Sequence, residues 1–282
     1  MATIVGVHGI GQQNKGEHVL QTLWQPALLD GLNRVDRSLA DTVELACAFY
    51  GDLFRPKEGK ATGGDPPYEA ADVDDPFEQE LLEAWAAEAE RAQGGDPEVP
   101  TKARVPRTVQ GMLNVVSGSR FFVGLLERAL IADLKQVRLY FKNAEKRAQI
   151  QGRLEQAVGP DTRVLIGHSL GSVVAYEALC AHPEWPVRTL VTLGSPLGIR
   201  NLIFDRLLPP PERARGVWPA SVERWTNVAD GGDIVALVKS LASCFGDRIR
   251  DELIHNGATA HDIIPYLTAE ETGRAVAAGL ER

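Results

Sequence analysis

Residues that cross-link chains or bind metals are scarce in this 282-residue sequence. Its three cysteines, Cys47, Cys180 and Cys244, lie far apart, with no C-x-x-C spacing between any two. An odd, scattered set argues against a disulfide framework or a zinc motif and points to free thiols in a reducing compartment. Basic surplus is lacking too: 30 Lys and Arg stand against 38 Asp and Glu, for a formal charge of -8. That balance argues against a nucleic-acid partner and against electrostatic capture by anionic lipid. Long apolar runs are missing as well. The stretch from Phe121 to Ile131 is broken by Glu127 and Arg128, and falls short of the ~20 residues a spanning helix needs. No basic leader with an apolar core precedes the first strand, so the expectation is a cytoplasmic protein without stable membrane insertion. No internal repeat is visible.

What is present is core-forming material in an alternating order. Hydrophobic residues make up 44% of the chain, enough to bury one large core in a single domain. Strands are expected at Thr3 to His8, Val43 to Tyr50, Arg163 to Gly167, Thr189 to Gly194, Val222 to Val228 and Asp251 to His255. Helices are expected at Glu17 to Asn33 and Ala144 to Val158, with a closing helix from Ala269. Such βαβ alternation implies an α/β fold with a mostly parallel sheet covered on both faces.

Chemistry concentrates at Gly167-His168-Ser169-Leu170-Gly171, which follows the apolar run Val164-Leu165-Ile166 and precedes Ser172 to Leu179. A G-x-S-x-G between strand and helix forces the serine into a strained turn, and the glycines let strand and helix close without clashes. Ser169 is therefore the candidate nucleophile, held at a helix N-terminus where amides and the helix dipole favour developing negative charge. A second motif, His8-Gly9-Ile10-Gly11, ends the apolar strand at the start of the chain. The backbone N–H groups of Ile10 and Leu170 are the candidate oxyanion hole. A dinucleotide-binding reading of Gly6, Gly9 and Gly11 fails, because G-x-G-x-x-G is absent.

With both motifs in hand, the chain resembles the α/β-hydrolase superfamily, and more closely its lipase-like serine esterases with an HGIG loop and a GHSLG elbow. The resemblance covers most of the chain but leaves its middle uncovered. It extends to Thr189 to Gly198, similar to the strand and loop after the elbow, and to Trp225 to Val235, similar to the acid-bearing turn. It implies the order nucleophile, acid, base: Ser169, then Asp230 or Asp233, then His255 or His261. Asp233 is preferred for the small apolar turn that follows it. Asp230 has an alternative role, accepting amides within its own Asp-Gly-Gly-Asp turn. Asp233 could equally cap a helix over Ile234 to Leu241. His261, in a loop that reaches over the strand ends, is preferred to His255 at the end of the last strand. Of the other histidines, His8 is expected to brace the oxyanion loop, His168 to pack beside the elbow, and His18 and His182 to be exposed helix residues.

The interval from Asp52 to Phe141 reads as a helical insertion within the single domain of residues 1–282. Gly/Pro-rich loops at Gly59 to Pro67 and Gly94 to Pro106 flank an acidic helix, Phe77 to Arg91, started by Asp75-Pro76 and stopped by Gly94-Gly95. Apolar residues follow at Val109, Met112, Leu113, Val115, Val116, Phe121 to Val123, Leu125, Leu126, Leu130 and Ile131. They suit the underside of a lid over Ser169, or equally the packing of the insertion onto the sheet or a dimer face. Leu202 to Pro211 with Trp218 is a second cap segment of the same kind. The resemblance implies carboxylic-ester hydrolysis, lipid or other acyl esters included, through an acyl-enzyme, with no cofactor and no metal. Thioester, amide or acyl-transfer chemistry on the same triad, and a catalytically silent binding module, are the alternatives.

Overall fold

The computed structural model describes residues 2–55, 68–92, 106–119 and 127–281. The expected loop at Gly59 to Pro67, the Gly94-Gly95 stop and the apolar residues Phe121 to Leu126 lie outside them. Six strands form one sheet: β1 (Ile4–Val7), β2 (Leu45–Ala48), β3 (Val164–His168), β4 (Thr189–Leu193), β5 (Arg224–Asp230) and β6 (Ile249–Ile254). Their order is β2-β1-β3-β4-β5-β6, and every pairing between these strands is parallel. Strands buried on both faces read as continuous apolar runs, as the buried Ile4–Val7 and Thr189–Leu193 do. The chain is an α/β fold.

Helices cover both faces. On one lie α1 (Glu17–Asn33), followed by the short α2 (Arg37–Ala40), and at the end of the chain α9 (Ile263–Thr268) and α10 (Glu270–Leu280). The other carries α3 (Pro76–Ala92), α4 (Val109–Ser117), α5 (Glu127–Lys142), α6 (Ala144–Ala157) and α7 (Leu170–Ala181). The chain leaves β1 toward α1 on the first face and leaves β3 toward α7 on the second. Between β1 and β3 the strand order reverses, and the crevice beyond their carboxyl ends is where open α/β sheets bind ligands.

The expected helix over Ile234 to Leu241 is not formed; its place is taken by an irregular loop, and only a single turn, α8 (Ala242–Phe245), follows. Asp233 Oδ1 accepts the amides of Val235 and Ala236, as a helix cap would. Beyond that point side chains from the sheet satisfy the backbone instead of the i−4 ladder. Asn227 donates to the Lys239 carbonyl, and the Asp251 carboxylate accepts the amides of Leu241 and Ala242.

The described helices of the Asp52 to Phe141 interval pack as a layer. Pro76 opens α3 as anticipated, with Asp75 Oδ1 accepting the Phe77 amide at 2.8 Å. Fully buried Glu78 ties α3 to α5 through Lys135 Nζ at 3.2 Å and Arg138 Nε at 2.6 Å. Met112, Leu113 and Val116 of α4 bury in the same core as Phe77, Leu82 and Ala86 of α3. Of the second cap segment, Leu202, Ile203, Phe204 and Leu207 are also core residues, while Leu208 is exposed. The cysteines are free, and no helix among the described residues is long and apolar enough to cross a membrane.

Candidate active site

Ser169 sits between β3 and α7 with φ 52 and ψ -129. A non-glycine residue at positive φ costs free energy, of order 1–3 kcal/mol, and persists only where its surroundings hold it. Here they do so by close backbone approach. A Cβ at Gly171 would lie 2.1 Å from the Val7 carbonyl oxygen, and one at Gly9 would lie 2.6 Å from Ser169 Cβ. The loop after β1 is thus pressed against the serine, and only glycine permits it.

That loop is braced from below. His8 Nδ1–H donates to the Gly9 carbonyl at 2.6 Å, and its Nε2 accepts the Tyr50 amide at 3.1 Å. Tyr50 stacks on the imidazole and donates its hydroxyl to the His8 carbonyl. Burial drives the His8 pKa down to about 4, so the ring is neutral and keeps that tautomer. From above, Gln136 of α5 accepts the Gly11 amide at 3.1 Å. Ile10 and Leu170 both line a small cavity beside Ser169. Among the described residues neither of their amides is committed to another hydrogen bond, and in Leu170 this follows from its place in the first turn of a helix.

The two aspartates of the β5 turn separate cleanly. Asp230 Oδ1 accepts the Gly232 amide at 2.6 Å and its Oδ2 accepts the Asn256 amide, so its carboxylate is spent on the turn. Asp233 Oδ2 instead accepts His261 Nδ1–H and the Tyr266 hydroxyl, each at 2.8 Å. Burial opposes ionisation of Asp233, yet the nearby His261, Lys239 and Tyr266 outweigh it and hold the pKa at about 2. The Lys239 ammonium donates to the Asp233 carbonyl and lies 3.9 Å from Glu88 Oε1 of α3. Gly194, at φ +54, leaves room for this pair: a Cβ there would come within 2.7 Å of Asp233 Oδ2 and 3.2 Å of His261 Nδ1.

His168 does more than pack beside the elbow. Its Nε2–H donates to the His261 carbonyl at 3.0 Å, and the two rings lie 4.9 Å apart. Burial, aided by His261, pushes its pKa to about 3, so it stays neutral and anchors the loop that carries His261. His255 is exposed just after β6, His18 is exposed on α1, and His182 sits at the end of α7 between Glu155 and Glu184.

Ser169 and His261 line one cleft of about 550 Å³, together with His8, Gly9 and Trp24. Among the described residues no hydrogen bond yet joins Ser169 Oγ to His261; such contacts are often long before substrate binds. His261 Nδ1 is committed to Asp233, which leaves Nε2 as the nitrogen free to take a proton. No group of three or more His, Cys, Asp or Glu side chains suited to a metal occurs among the described residues. Composition and spacing had not pointed to Gly194, Tyr266 or Lys239. Their signal was weak: Tyr266 lies five positions after His261, and Gly194 directly follows the buried strand β4.

No protein-family model matches this chain, and neither the curated proteins nor the solved structures contain a match to it.

Proposed function

We propose that the protein is a serine hydrolase of the α/β-hydrolase type that cleaves carboxylic esters through Ser169, His261 and Asp233. The observation that carries this reading is the strained Ser169 sharing a cleft with a histidine whose other nitrogen is held by a buried, ionised aspartate. His261 Nε2 takes the Ser169 proton as Oγ attacks the ester carbonyl. Asp233 holds the Nδ1–H tautomer and stabilises the imidazolium. The oxyanion is received by the amides of Ile10 and Leu170, each donor of this kind being worth about 3 kcal/mol. His261 then returns the proton to the departing alcohol, and water, deprotonated by the same nitrogen, releases the acid from Ser169.

Intact-mass measurement after incubation with a fluorophosphonate tests this. Wild type should gain one adduct, Ser169→Ala none, and His261→Ala the same adduct far more slowly. Full ester turnover by folded Ser169→Ala would refute the assignment.

A further inference from the structure

Two spaces meet at Ser169, and they differ in size and chemistry. The smaller, about 10 Å³, is lined by Leu81 and Trp85 of α3, Val137 of α5, Pro196 and Ile203. The larger, about 550 Å³, carries Lys15, Asp133 and Asp262 along with His261.

Acyl transfer itself assigns these spaces to the two ends of an ester. The leaving group departs with the proton delivered by the histidine. His261 lines the wide cleft and not the small cavity, so the alcohol portion belongs in the wide cleft. The carbonyl oxygen goes to the amides of Ile10 and Leu170, which both border the small cavity. Among the described residues the small cavity is the space lined by both donor residues, whereas Leu170 does not reach the wide cleft, so the acyl substituent is assigned to the small cavity. About 10 Å³ is the room taken by roughly one water-sized group, which is also the size of a methyl group. Its walls belong to the core: Leu81 is 1% exposed, Trp85 2% and Val137 6%. Close-packed interiors do not yield extra methylenes without displacing neighbours.

Resting on the serine-hydrolase reading, the geometry points to selectivity for acetyl-sized acyl groups carried on a bulky, hydrogen-bonding alcohol, with Leu81, Trp85 and Val137 as the wall that enforces it. Long-chain lipid esters are excluded from the acyl side, and the polar side chains of the wide cleft recognise the alcohol.

The test is a series of p-nitrophenyl esters, acetate, butyrate and octanoate, in which the leaving group is constant. For wild type, kcat/KM should fall at least about tenfold from acetate to butyrate, the scale of hydrophobic-pocket discrimination, and further at octanoate. Val137→Ala, which removes two methyl groups from the wall, should shrink the acetate-to-butyrate ratio about tenfold. Trp85→Leu should do so more strongly, with thermal melting run alongside to establish that each variant is folded. An enzyme labelled at Ser169 that cleaves octanoate as fast as acetate overturns the selectivity and leaves the hydrolase reading standing. Unchanged ratios in folded Val137→Ala and Trp85→Leu also overturn it. No adduct and no Ser169-dependent acetate hydrolysis would refute the hydrolase reading and this inference together.

Discussion

The floor of the site, at the carboxyl ends of β1, β3, β4 and β5, is held by backbone approach, whereas its roof in α3 and α5 is held by side-chain volume and buried charge. Gly9, Gly171 and Gly194 make the floor by what they lack, since a Cβ at any of them would fall within 3 Å of a neighbour. The roof is made by what is present: Leu81, Trp85 and Val137 fill space, and Glu78 pins α3 to α5 through Lys135 and Arg138. In the proposed mechanism such a floor places the reacting atoms. On the same reading, such a roof limits the size of the reacting group. The two are expected to fail differently when altered.

The largest effect should come from Asp233→Asn, which removes the acceptor for His261 Nδ1–H while preserving shape. A fall in kcat of about 10⁴ is expected, the scale seen when a triad aspartate is amidated elsewhere. Steady-state kinetics on the acetate ester measure it, and a loss under tenfold would mean that Asp233 does not orient the base. Gly9→Ala comes next. The added methyl must push the loop away from Ser169 Cβ, so kcat should drop by about 10² to 10³, as for loss of one oxyanion donor, while melting changes modestly. Glu78→Gln acts on the roof. It leaves Lys135 and Arg138 short of their buried partner and should cost about 1–3 kcal/mol of stability in urea unfolding, with Ser169 still labelled by fluorophosphonate. Loss of labelling in folded Glu78→Gln would erase the distinction between floor and roof.

The same division decides what was legible in the sequence. Gly167 to Gly171 and His8 to Gly11 are short, contiguous and flanked by strand and helix signals, so their placement followed from local pattern. Asp233 and His261 needed the resemblance as well, because the hydrogen bond between them spans 28 positions. The roof was not legible in this way. The acidic helix over Phe77 to Arg91 was legible, but nothing in its local pattern singles out Leu81 and Trp85, or Val137 on another helix, as residues that end beside Ser169. Met112, Leu113 and Val116, equally apolar, sit in the core shared with α3 instead. The expected helix after Asp233 failed for a related reason: a cap starts a helix, but Asn227 and Asp251, distant in sequence, claimed the backbone groups that would have continued it.

Lys239 gives the molecule a mechanical linkage. Its ammonium holds the backbone of Asp233 and lies 3.9 Å from Glu88, three positions along α3 from Trp85. In the proposed mechanism, the helix assigned to gauge the acyl group and the residue assigned to orient the base therefore share one cation. On that reading, an oversized substrate that displaced α3 would draw on that cation too, so poor fit would be registered as a misaligned base as well as a crowded pocket.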